Sequence, residues 1–128
     1  MKLPLANSEL AIMDLLWKHG QLTAREIREK LYSDATKAQH GTVQKLLQRL
    51  EDKGLIERDR SEFVHRFKPT VSRKRYAGSQ LEELASKLTS GSFAPLITHL
   101  VETSKISGDD ITAIRQILDE YKGTGEKE

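Results

Sequence analysis

The sequence predicts a mainly α fold: an α+β winged helix-turn-helix domain with a two-stranded wing, followed by a C-terminal region of three helices. Three observations predict it. In the stretch 42–54, TVQKLLQRLEDKG, Val43, Leu46, Leu47 and Leu50 fall at i, i+3, i+4 and i+7, the apolar face of a helix that packs on a core. Gly54 then stops that helix, and two β-prone runs follow, Leu55 to Arg60 and Phe63 to Pro69, joined by a short polar turn around Ser61 and Glu62. Helix, glycine, strand, turn, strand is the order in which a hairpin flanks a recognition helix. The third observation is the division of charge: residues 37–75 hold 11 Lys and Arg against 5 Asp and Glu, whereas residues 76–128 hold 5 against 9. A basic segment is drawn to phosphate and an acidic one is repelled, so the two halves are expected to do different work.

Length and composition narrow the function classes. A chain of 128 residues has room for a domain of about 70 residues with a helical appendage, but not for a large enclosed active site. The organisation expected is a DNA-binding domain over residues 1–71, a dimerisation domain over 72–122 and a disordered tail over 123–128. No apolar run approaches the ~18 residues that span a bilayer, and MKLPLANSEL lacks a signal peptide's apolar stretch, so a cytoplasmic protein without a membrane partner is expected. The absence of cysteine excludes disulfides, thiol nucleophiles and cysteine-based metal sites. His19, His40, His65 and His99 sit on different elements without metal-ligand spacing, and the chain has no paired carboxylates, nucleophile elbow or glycine-rich phosphate loop. Neither an enzyme nor a metal or cofactor site is expected.

Taken in order, the first helix is expected to be capped by Asn7 and to stop at Gly20, with Leu10, Met13, Leu16 and Trp17 as its apolar stripe and Ile12 and Leu15 beside it. Thr23 should cap the second helix, with Glu26 closing a capping box and Leu22 and Ile27 at staple spacing. The start of that helix presents free backbone N–H groups and Arg25, a favourable place for a DNA phosphate. Residues 33–40, SDATKAQH, lack periodicity and read as a connector, with room for one helical turn before the helix at Thr42. Beyond the hairpin, Ala77, Leu81, Leu84 and Leu88 repeat at steps of four, three and four, the narrow seam of a helix that pairs with another. Gly91 and Ser92 interrupt it. Phe93, Leu96, Ile97, Leu100 and Val101 then mark a short helix with Pro95 in its first turn, and Ser107 with Asp110 starts a last helix that has Ile111, Ile114, Ile117 and Leu118 to bury. Three such short helices cannot hide their stripes alone, so a homodimer is expected.

Opposite the apolar face of the helix at 42–52, about 100° per residue points Lys45 and Gln48 most directly outward, with Thr42, Gln44 and Arg49 on the flanks. Long hydrogen-bonding side chains on such a face suit base edges and phosphates in a major groove. A solvated surface helix would carry the same residues. The hairpin that follows, bearing Arg58, Arg60, Arg66 and Lys68, shifts the reading towards DNA.

Three blocks carry a family resemblance. The opening SELAIMDLLWKHGQLTAREI is similar to E-x-x-I-M-x-x-L-W with its Thr-capped helix, and TVQKLLQRLEDKGLIERDR to T-V-x-T-L-L-x-R-L-x-x-K-G-L-I. GSFAPLITHLVE with SGDDITAIRQILDE is similar to G-G-S-x-x-x-L-V…L-V-E and S-x-x-(D/E)-I-x-x-(L/I)-x-x-(L/I)-L. In this order and spacing the chain resembles the penicillinase-repressor family, the BlaI/MecI/CopY group of winged-helix transcriptional repressors, over about residues 5–121.

The resemblance implies a dimeric repressor bound to two half-sites of a dyad-symmetric, double-stranded DNA operator, controlling a stress or antibiotic-response operon. It implies DNA contacts at Thr42, Gln44, Lys45 and Arg49, to which the helical projection adds Gln48. It implies phosphate contacts at Arg58, Arg60 and Arg66, joined by Thr23 and Arg25. Dimer-core positions fall at Phe93, Leu96, Leu100, Ile114 and Leu118, beside the seam of Leu81, Leu84 and Leu88. Relatives often carry Thr where this chain has Lys45, so their base preference does not transfer. The β-lactam-responsive relatives are cut by a membrane-linked protease at an Asn-Phe bond, where this chain has His99 and Leu100. The copper-responsive relatives carry a C-terminal cysteine cluster, and this chain has no cysteine. Any sensor or protease partner, and the means of release, stay open. The rival reading, a winged helix that binds protein, would put an apolar or acidic face on 42–52, and the face found is basic and polar.

Overall fold

The computed structural model describes residues 4–32 and 37–121. Its contacts group the chain into two compact units, Met1–Glu82 and Glu83–Glu128. In the first unit, helices α1 (Asn7–His19), α2 (Ala24–Leu31) and α3 (Lys37–Asp52) surround one core, closed by strands β1 (Leu22–Thr23), β2 (Ile56–Asp59) and β3 (Arg66–Pro69). α1 buries Glu9, Ile12, Met13 and Leu16. The stripe is thus rotated from the expected one: Ile12 lies inside it, and Leu10 is 36% exposed. Asn7 is the first helical residue, not the cap. Ala6 precedes it in extended conformation and donates its N–H to Glu9 Oε1 at 3.0 Å, so a carboxylate one turn in satisfies the helix end.

α2 starts as its sequence demands. Glu26 N–H donates to Thr23 Oγ1 at 3.1 Å, and Thr23 N–H donates to Glu26 Oε1 at 2.8 Å, a reciprocal capping box. α3 begins at Lys37, earlier than Thr42, so residues 37–40 of the expected connector are helical and only 33–36 lie outside the described residues. Lys37, Ala38 and Gln39 are all good helix formers, and propensity carries the helix back where apolar periodicity gave no sign of it. At the other end Gly54 has φ +76°, and Leu55 N–H reaches Leu50 O at 3.0 Å. This left-handed turn lets the chain reverse and drop Leu55 into the core.

β2 and β3 pair antiparallel from Ile56↔Pro69 to Asp59↔Arg66. β3 begins at Arg66, not Phe63, so residues 60–65 form the wing tip. β2 and β3 form the expected two-stranded wing, and β1 adds a third strand that the sequence does not announce, in the order β1-β3-β2, with Leu22 facing Phe67 and Thr23 facing Arg66. A strand of two residues is too short to show alternation, and these two were already accounted for as staple and cap. Phe67, Ile12, Met13, Leu16, Ile27, Val43, Leu47, Leu50 and Leu55 are fully enclosed. Each such side chain contributes about 1.5–3 kcal/mol through burial.

α4 (Arg73–Leu88) begins in the first unit. Trp17 Nε1 donates to Val71 O at 2.8 Å, the Arg73 guanidinium lies 5.0 Å from the Trp17 ring centre, and Tyr76 is buried beside them. The second unit holds the end of α4, then α5 (Ala94–Glu102) and α6 (Gly108–Tyr121). Pro95 sits in the first turn of α5, and Asp110 N–H donates to Ser107 Oγ at 3.1 Å at the start of α6, both as expected. No described residue of α5 or α6 is buried. The tail 123–128 lies outside the described residues.

Candidate nucleic-acid interface

α3 sorts its residues as the periodicity requires. Val43, Leu46, Leu47 and Leu50 are buried against the core, while Thr42, Gln44, Lys45, Gln48 and Arg49 are all exposed. The outward row is partly ordered by its own neighbours: Gln44 Nε2 lies 3.3 Å from His40 Nε2, and Gln48 Nε2 donates to Asp52 Oδ1 at 3.0 Å. These contacts hold amide groups at one turn's spacing along the helix surface, ready to exchange partners with base edges.

A pair of charges ties the C-terminal end of α3 to α1. Lys53 Nζ donates to both oxygens of Glu9, at 2.9 and 3.0 Å, joining the end of α3 to the start of α1. The Glu9 side chain is only 3% exposed. Burial pushes its carboxyl up, but the hydrogen bonds from Lys53 and Ala6, with the charges of Lys53 and Arg49, leave it below its ordinary 4.5. An acidic residue at a core-facing helical position, forty-four residues from the lysine that pairs with it, carries no local sequence signal.

The start of α2 and the wing flank this surface. Thr23 is 8% exposed with its hydroxyl engaged in the cap, so it fixes the helix start rather than reaching outward. The backbone N–H of Thr23 holds the Glu26 carboxyl below its ordinary range, with the Thr23 hydroxyl and the charge of Arg66 acting in the same direction. Arg25 extends into solvent, its side chain 76% exposed, and meets Glu29 at 3.0 Å. Arg60 is exposed, Arg66 lies 3.7 Å from Glu62, and Lys68 lies 3.4 Å from Glu57. Arg58 differs. Its guanidinium donates to Glu51 at 2.7 Å and lies 4.7 Å from the Phe67 ring centre, with the side chain 18% exposed, so it clasps the wing to α3.

A groove of about 250 Å³ runs between these elements, lined in part by Thr23, Arg25, His40, Gln44, Arg58 and His65. The structure therefore brings residues of α2, α3 and the wing to one cationic surface. His65 and the tip residues Phe63 and Val64 also border it. Those three were placed in a strand by their composition, and only the observed register moves them to the tip. Among the described residues no cluster of His, Asp or Glu could hold a metal ion, and no helix is long and apolar enough to cross a membrane.

A helix-turn-helix with a flanking hairpin is a general scaffold, and the full-length pattern separates its many users. The family model for the penicillinase repressor matches residues 5–120. The chain belongs to the penicillinase repressor family. This is a family of transcriptional repressors, not of enzymes. The chain is similar to the penicillinase repressor of Bacillus licheniformis, 25% identical over 122 residues that cover 94% of each chain. It is similar also to the transcriptional regulator BlaI of Mycobacterium tuberculosis, 34% identical over 120 residues, 92% of this chain and 85% of that one. Among solved structures, the hsRosR-S4 complex matches with a TM-score of 0.50 at 19% identity, covering 86% of this chain and 92% of that chain, a likeness of fold alone.

Proposed function

We propose that this penicillinase-repressor relative is a homodimer that represses transcription by holding a dyad-symmetric operator, one half-site on each winged helix. The observation that carries the reading is the exposed row Thr42, Gln44, Lys45, Gln48 and Arg49 on a helix whose other face is wholly buried, with the Arg25 end of α2 and the wing beside it. α3 would read base edges in the major groove. Arg25, Arg60, Arg66 and Lys68 would contact phosphates, Thr23 would present the α2 start, and Arg58 would hold the wing at the right distance.

Dimerisation is supported by large apolar side chains left exposed from Leu81 onward. Leu81, Leu84 and Leu88 are 51%, 46% and 66% exposed, Phe93 and Leu100 are 38% and 39%, and Leu118 is 61%. Leu96 and Ile114 are half-buried. Large apolar side chains left in solvent favour a partner, and a second copy of this chain would cover them with closed symmetry. The test is binding of the purified protein to the DNA upstream of its own coding sequence, against unrelated DNA, across a salt series. One dimer per dyad with a steep loss of affinity as salt rises is the expected result. Equal, weak binding to every duplex would overturn it.

A further inference from the structure

The wing ends in an apolar tip that the proposed contacts do not use. Phe63 is 100% exposed and Val64 55% exposed, while Phe67, four residues on, is 2% exposed. The tip is braced. Asp59 accepts from Ser61 N–H at 2.9 Å at the start of the loop, and Arg66 lies 3.7 Å from Glu62, countering the one acid beside Phe63. The ladder closes at Asp59↔Arg66, so residues 60–65 make the whole excursion.

The tip also lies where DNA would be. Phe63 and Val64 border the same groove as Gln44 of α3 and Arg25 of α2. Arg60 precedes the tip and Arg66 and Lys68 follow it, so a polyanion is the occupant that this apolar projection and its cationic flanks suit together.

We infer that Phe63, backed by Val64, is a wedge that enters the minor groove beside the major-groove segment held by α3 and selects a base step that unstacks easily. The inference rests on the DNA-binding reading above. Apolar side chains set into the minor groove partly unstack a step, and pyrimidine–purine steps yield most readily. Phe63 therefore gives specificity at a position that α3 does not touch.

The test is selection of duplexes from a random-sequence pool by the full-length protein and by Phe63→Ala, Phe63→Leu and Lys45→Ala. The wild type should enrich a dyad with a pyrimidine–purine step at fixed distance from the bases read by α3. Phe63→Ala should keep those bases, lose the step, and bind the wild-type duplex roughly tenfold more weakly. Phe63→Leu should retain the step, and Lys45→Ala should change the α3 bases while keeping it. Because Phe63 is wholly exposed, all variants should melt with the wild type. A Phe63→Ala selection identical to wild type, with affinity within about twofold, overturns the wedge and leaves DNA binding intact, freeing the tip for a protein partner. A wild type that enriches no dyad overturns the operator reading itself, and the wedge with it.

Discussion

Lys53 and Glu9 join the end of α3 to the start of α1, adding a buried charged contact to the apolar packing that holds α3. Lys53→Met would leave the Glu9 carboxylate buried with only the Ala6 N–H, and should cost about 2 kcal/mol of stability at neutral pH. Glu9 titrates below 4.5 in the folded chain, so its contribution is present above that value and lost as pH falls through the lowered one. Chemical denaturation as a function of pH should show wild type and variant converging in acid. Lys45→Ala and Arg49→Ala touch no core residue, so each should weaken operator binding about tenfold with an unchanged melting temperature, and Lys45→Ala should also lower the salt slope by about one. At this scale the outward residues of α3 were legible, because periodicity alone decides which way a helical side chain points. Glu9 and Lys53 were not, since an ion pair between distant segments exists only once the chain has folded. Arg58, expected from the resemblance at a phosphate, is held by Glu51 and lies against Phe67, contacts that likewise exist only once the chain has folded.

Among the elements, those whose signals are local were the ones sequence could specify. The capping box of α2 needs only Thr23 and Glu26 three residues apart, and it forms as written. Thr23→Ala should destabilise the first unit by about 1 kcal/mol, measured by thermal unfolding, and lower DNA affinity further by loosening the α2 start. Thr23→Ser should restore both. The staple residue Leu22 proved also to be a strand, because β1 exists through its pairing with β3 and not through its own composition. The start of α3 was only half legible: a helical turn before Thr42 was open, but residues 37–40 have helix propensity without an apolar face, so periodicity does not fix where the helix begins. The wing lies where the sequence places it, but the register widens its tip from Ser61 and Glu62 to residues 60–65, which composition does not report.

For the whole molecule, the charge division and apolar seams announced two regions with different work, and the structure has one unit with an enclosed core and one without. Leu100→Asp should raise the dissociation constant of the proposed dimer at least a hundredfold, by placing an unpaired charge in the interface. Sedimentation at micromolar concentration would measure it. A variant that stays dimeric would move the interface elsewhere.

Helices without a fully buried residue of their own have a consequence for how such a repressor fares as cells grow and divide. If partner contacts supply the only shelter for α5 and α6, the melting temperature must climb as the protein is concentrated, and dimer abundance in the dilute limit must fall with the square of the copy number. Each division without new synthesis then removes more repression than it removes protein. A promoter held this way escapes by dilution alone, with no ligand bound and no peptide bond cut.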